Sequence, residues 1–374
     1  MTVSSRRLTV LYMRLRNRER IVTGYMGRAA RRLARSLGIL LYGLIILTGC
    51  AAGTEHINEA NSLIENGSYS EALESLEAAE ADGEDMILVH RSRGIAYMGL
   101  SDYDAAVDEF TAALSSNKGY VRKIDIDISY YLATAEYRSG DVEGANQTYS
   151  AIIALYPDEA DAYFLRGRTY LVLQDTDNAK SDFDKAIKLS PGNPDLYVQV
   201  YEALSDAGLS EVGQRYLKSA MELNTKLSSM QKGRLYYCMG DYERARENLE
   251  AAVKSGESQA ALYLGRTYEA LGDTNYAASL YKSYLDTDPG NAQVMNQLGL
   301  CLMDLKDYSA ALDAFSKGIS IGDPVMDQSL RFNQIVACEE MGDFNRAKTM
   351  MQDYLNIYPD DEEAIRENEF LATR

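Results

Sequence analysis

The chain has no tryptophan and only two histidines, His56 and His90, so a histidine-based metal or proton-transfer site would lack ligands from the start. Its four cysteines, Cys50, Cys238, Cys301 and Cys338, form no C-x-x-C pair. A phosphate-binding Gly-rich loop, H-E-x-x-H and G-x-S-x-G are also missing. Ser115 to Lys118 fits S-x-x-K, but no companion motif accompanies it. Catalysis therefore has no visible seat, and the chain reads as a non-enzyme with no cofactor and no small-molecule substrate. Positive charge is scarce: 38 Lys and Arg face 56 Asp and Glu, a net charge of −18. Such a surface repels phosphate backbones, which argues against nucleic acid as a partner. No alternating β-branched runs bounded by turns occur, so no sheet is expected.

What remains is an ordinary folded composition, 46% hydrophobic and 25% charged. The stretch Pro157 to Pro191 shows how it is arranged. At helical spacing its first half puts Tyr163, Gly167 and Tyr170 on one face, and its second half puts Ala179, Phe183 and Ala186 on one face. Asp175 stands where a cap between the halves belongs, and Pro191 cannot continue the second helix. Gly167 and Ala179 let two helix backbones approach, while the aromatic residues fill the space around them. The small residue of the second half recurs as Ala72, Ala106, Ala145, Ala179, Ala245, Ala277, Ala311 and Ala347, with Gly213 in the one gap. Four positions later stands Leu76, Phe110, Tyr149, Phe183, Leu217, Leu249, Tyr281, Phe315 or Met351. Tyr201 and Ile335 break the small site of the first half.

This pattern resembles the tetratricopeptide repeat, a helix-turn-helix unit of about 34 residues. The resemblance implies an all-α fold: a right-handed α-solenoid of about nine repeats over residues 55–361, with a capping helix over 362–374. The turns Gly67-Ser68-Tyr69, Ser101-Asp102-Tyr103, Gly140-Asp141-Val142, Gly240-Asp241-Tyr242, Gly272-Asp273-Thr274 and Gly342-Asp343-Phe344 pair a residue suited to left-handed backbone with a capping one. Val121 to Asp125 reads as an insertion, and the fifth repeat, around Tyr201 and Gly208-Leu209-Ser210, as degenerate. Each is either a tolerated irregularity or a bend or partner site.

Residues 1–49 are different material, with ten Arg and one Glu, then an uncharged run from Ser36 to Thr54. A basic head and an apolar stretch read as a secretory signal, and the stretch from Met26 is a complete signal on its own, which makes Met26 a second candidate for the start. The run ends Leu47-Thr48-Gly49-Cys50, which resembles the lipobox of bacterial lipoproteins. That resemblance implies cleavage before Cys50, lipid on its thiol, and a short tether over residues 50–54. The alternative is an uncleaved transmembrane helix, since 19 uncharged residues span a bilayer. Both readings place the repeats on the extracytoplasmic side of the membrane. Loss of a segment of net +9 from a chain of −18 leaves −27, which serves solubility or attracts a basic partner.

In tetratricopeptide repeat proteins the first helices line a concave groove that takes a protein or peptide partner. The positions left over from packing here are Tyr130 and Tyr137, Phe164 and Arg168, Arg234 and Tyr237, Arg266, and Asn296. Arg168, Arg234 and Arg266 share one place in three repeats and are candidates to receive acidic or C-terminal carboxylates, with Tyr130, Phe164 and Tyr237 as apolar platforms. The competing reading has them solvated or paired with nearby acids. Two roles are expected: a lipid-anchored interaction scaffold at the cell envelope, or a non-catalytic regulatory or carrier subunit of an envelope enzyme. Cys238, Cys301 and Cys338 fall in first helices as small apolar residues, though Cys301 and Cys338 stand in neighbouring repeats where a bridge is open to them.

Overall fold

The computed structural model describes residues 54–116, 122–223, 227–257, 259–323 and 325–373. The signal segment, Cys50 and all but the end of the tether lie outside the described residues. Among the described residues there are nineteen α-helices and no strand. In chain order they are α1 (Glu55–Glu65), α2 (Tyr69–Ala81), α3 (Met86–Gly99), α4 (Tyr103–Ser115), α5 (Lys123–Ser139), α6 (Val142–Leu155), α7 (Ala160–Val172), α8 (Thr176–Leu189) and α9 (Pro194–Asp206). Then come α10 (Ser210–Met221), α11 (Ser229–Cys238), α12 (Tyr242–Lys254), α13 (Ala260–Leu271), α14 (Thr274–Thr287), α15 (Ala292–Asp304), α16 (Tyr308–Ser320), α17 (Asp327–Glu340), α18 (Phe344–Ile357) and α19 (Glu362–Ala372). These make nine helix pairs and one closing helix, an all-α array of stacked hairpins. Two compact units are present, one ending at Leu196 and one running from Tyr197 onward.

Each hairpin turns by the same device. Residues 67, 101, 140, 174, 208, 240, 272, 306 and 342 all have positive φ. Six of them are glycine, which adopts this conformation without penalty, but Ser101, Gln174 and Lys306 adopt it too. The next amide closes the helix end: Asp307 N–H donates to the Leu302 carbonyl at 2.9 Å, and Asp175 N–H to Tyr170 at 2.8 Å. Asp102, Asp141, Asp175, Asp241, Asp273, Asp307 and Asp343 then accept a backbone N–H three residues on, capping the second helix.

Packing follows the small-against-large rule. The eight recurrent alanines and the nine large residues four positions later are all fully buried. A Cβ on Gly167 would stand 2.7 Å from the Phe183 ring, and one on Gly94 2.5 Å from Phe110. Only a hydrogen leaves room for those rings, and truncating one of them to Ala would cost about 3–5 kcal/mol. In the fifth repeat the roles are exchanged: the large residue is Tyr201 on α9, and the small one is Gly213 on α10. The insertion near Asp125 is a helix start. Arg122 N–H donates to Asp125 Oδ2 at 2.6 Å, which opens α5, a helix of 17 residues. At the far end α19 buries Ala364 and Leu371 against α17 and α18. Asp361 secures it by accepting from the Glu363 and Ala364 amides, Gln328 Nε2 and the Tyr354 hydroxyl.

Candidate functional site

In the N-terminal unit, α5 and α7 bring Tyr130, Tyr137, Phe164 and Arg168 together. The same helix α7 carries two arginines with opposite fates. Arg166 donates Nε and Nη2 to Asp182 at 2.7 and 2.8 Å and Nη1 to Ser150 at 3.0 Å, between the rings of Tyr163 and Tyr170. This explains those two tyrosines: they flank a guanidinium that ties α7 to α8, rather than filling space around Gly167 alone. Arg168 points elsewhere. It is 8% exposed, and no hydrogen bond or ion pair joins it to another described residue. Its guanidinium carbon lies 6.0 Å from the centre of the Tyr137 ring.

The polar groups beside Arg168 are donors short of acceptors. The Tyr130 and Tyr149 hydroxyls are buried and make no hydrogen bond of ordinary geometry. Thr134 approaches Tyr149 but donates its own hydroxyl hydrogen to the Tyr130 carbonyl at 2.8 Å. Burial pushes the Tyr149 phenol up to about 12, with Arg168 pulling the other way. Burial, then the charges of Glu159 and Asp161, raise the Tyr130 phenol far above its ordinary value. Phe164 leans on the core, with its ring centre 5.9 Å from that of Phe183, and remains half-buried. The nearby Glu136 turns to Thr148, whose hydroxyl donates to it at 2.8 Å.

In the C-terminal unit, Arg234 on α11 and Arg266 on α13 converge on a single ring. Their guanidinium carbons lie 5.0 and 5.5 Å from the centre of Tyr263. Tyr237 meets the same ring edge-on at 6.2 Å. Asn296 on α15 is fully buried, its Oδ1 accepting from Asn333 Nδ2 on α17 at 2.8 Å, so it ties two repeats together beneath the surface. Glu269, on the same face of α13 as Arg266, accepts from the Cys301 thiol at 3.1 Å. Glutamate and asparagine on this face thus bond between repeats, a pairing that spacing within one helix does not reveal. Cys238, Cys301 and Cys338 are buried thiols outside any disulfide. His90 Nδ1 lies 2.7 Å from Glu109, and among the described residues no group of His, Cys, Asp and Glu is arranged to hold a metal. Nor is any helix among them long and apolar enough to cross a membrane.

The tetratricopeptide repeat profile matches residues 57–121, 130–194, 230–292 and 265–324, and a second profile of the same repeat matches 332–361. The chain belongs to the tetratricopeptide repeat family. Similar curated proteins include RNA polymerase II-associated protein 3 of Xenopus laevis, 22% identical over 243 residues, which are 63% of this chain and 34% of that protein. FK506-binding protein 59 of Drosophila melanogaster is 25% identical over 151 residues, 38% of this chain and 34% of its own length. This tetratricopeptide repeat chain therefore spans about a third of the length of these two relatives. Among solved structures, a tetratricopeptide repeat protein from Parabacteroides merdae is 18% identical, covering 76% of this chain and 97% of its own, with a TM-score of 0.45.

Proposed function

We propose that the protein is a non-catalytic interaction scaffold that receives an extended segment of another protein along the first helices of its repeats. Arg168 carries this reading. Its residue is nine-tenths buried, no acceptor among the described residues bonds its guanidinium, and a partner's carboxylate would complete it. The half-buried rings of Tyr130, Tyr137, Phe164 and Tyr237 offer apolar contact beside the charged positions. Family membership supports the same reading, since these repeats commonly serve as protein-binding scaffolds.

The scaffold is held at the extracytoplasmic face of a membrane by lipid on Cys50. The support is the sequence Leu47-Thr48-Gly49-Cys50 at the end of an apolar run, followed after a few residues by the first described helix at Glu55. Two or more acyl chains suffice for stable anchoring where one does not.

Photo-crosslinking in living cells tests the first part. A photoreactive residue at Phe164 or Tyr237 should capture a partner that one at the exposed Lys282 does not. Equal capture from all three positions would refute the binding face. For the anchor, metabolic labelling with a clickable fatty acid should mark the wild type and not Cys50→Ser; labelling of both would refute it.

A further inference from the structure

Resting on the scaffold reading, the geometry around Arg168 points to a specific partner motif, and we infer that the N-terminal unit recognises an acidic residue flanked two positions away on each side by apolar residues. The first helices α5 and α7 are one repeat apart, so their residues stand in three matching levels: Tyr130 with Phe164, Thr134 with Arg168, and Tyr137 with Leu171. The outer levels are aromatic or aliphatic, and the middle one carries the charge. Successive levels are three or four residues apart on a helix, about 4.5–6 Å along its axis. An extended chain presents alternate side chains on one face about 6.6–6.8 Å apart. Positions j−2, j and j+2 of an extended partner therefore fall near the three levels in either chain direction.

The charge belongs in the middle and nowhere else. Arg168 has no counter-ion within hydrogen-bond reach, its guanidinium lies against the Tyr137 ring, and the nearby Glu136 is turned to Thr148. A carboxylate is an acceptor-only group and supplies what the guanidinium lacks. The outer level at Tyr130 lies close to Glu159 and Asp161, which would repel a second acid there. The chain's overall negative charge excludes a strongly acidic partner segment as well. The motif is thus one carboxylate in an otherwise neutral or basic stretch. Because apolar residues are required on both sides, a terminal carboxylate fits less well than an internal Asp or Glu.

The test titrates the full-length chain in non-ionic detergent with fluorescein-labelled, C-terminally amidated peptides built on Gly and Ser around a Leu-Ser-Glu-Ser-Phe core. The core Glu should bind at least about tenfold more tightly than Gln. Replacing Leu and Phe by Ser should also lose binding. Arg168→Gln should abolish the preference for Glu over Gln, Arg168→Lys should keep part of it, and Lys282→Gln, at an exposed position in the other unit, should leave it intact. Far-ultraviolet circular dichroism establishes that each variant is folded. Equal binding of the Glu and Gln cores, a preference that survives Arg168→Gln, or failure of every peptide to bind would overturn the motif. So would equal affinity for a peptide that ends, unamidated, at the Glu, which would make this a terminal-carboxylate site. Partner capture at Phe164 and Tyr237 separates the two levels: if capture persists while the motif fails, the scaffold reading stands alone, and if both fail, neither stands.

Discussion

Tyr201 fills the place where most other first helices carry Gly or Ala, and its Cδ2 lies 2.8 Å from where a Cβ on Gly213 would be. The large and small partners of the hairpin have changed helices, and contact is kept. Gly213→Ala should therefore destabilise the C-terminal unit by about 1–3 kcal/mol, although Ala is the better helix former. Adding Tyr201→Gly should recover part of the loss, because it restores the arrangement of the other repeats. Hydrogen exchange of the α10 amides measures both effects, since a repeat array need not unfold in one step.

Three turns hold a side chain where six others hold glycine. Ser101, Gln174 and Lys306 have φ of 64°, 61° and 61°. Left-handed backbone costs a residue with a Cβ about 1–2 kcal/mol, offset in part by the greater freedom of glycine in the unfolded chain. Each of Ser101→Gly, Gln174→Gly and Lys306→Gly should raise stability by about 0.5–1 kcal/mol. A thermal melt of the triple variant shifted downward would contradict this.

The hairpins were legible because one constraint repeats: where Gly94 or Gly167 recurs in phase with Phe110 or Phe183, close helix approach is the only packing that accommodates both. Turn aspartates were legible for the same local reason. The binding face was only partly so. Arg168, Arg234 and Arg266 share one position, yet Arg168 lacks a counter-ion, while the other two meet across Tyr263. That difference depends on residues from other helices, which helical spacing cannot register. Asn296 stood on the predicted face, but Asn333, a repeat away, draws it into the interior. The exchange of Tyr201 and Gly213 showed in the sequence as two separate breaks, and only their contact reveals one compensation.

Two arginines of α7 should respond oppositely to mutation. Asp182→Ala removes two of the three acceptors of Arg166, whose side chain is 18% exposed, and should cost about 2–4 kcal/mol. Arg168→Met keeps the aliphatic stem and removes a buried charge that nothing neutralises, so stability should stay level or rise by about 1 kcal/mol. Urea unfolding of the two variants beside the wild type distinguishes them. A large loss at Arg168→Met would mark that residue as structural and weaken its assignment to partner binding.

Alkaline pH offers a probe of the same pocket. Tyr149 is fully buried and its phenol is pushed up to about 12, against an ordinary value near 10 in the unfolded chain. The folded state holds the proton longer than the unfolded state, so this group's contribution is intact below pH of about 10 and is lost progressively as pH rises towards about 12. Over that window one such phenol withdraws about 2–3 kcal/mol of stability. Tyr149→Phe removes a hydroxyl that has no hydrogen-bond partner, so at neutral pH it should be nearly neutral or slightly stabilising. Between pH 10 and 12 it should lose less stability than the wild type by about that amount, read from urea midpoints at each pH. Parallel curves for the two proteins would mean that the Tyr149 phenol titrates as it does in water, and that the pocket beside Arg168 is wetter than its burial implies.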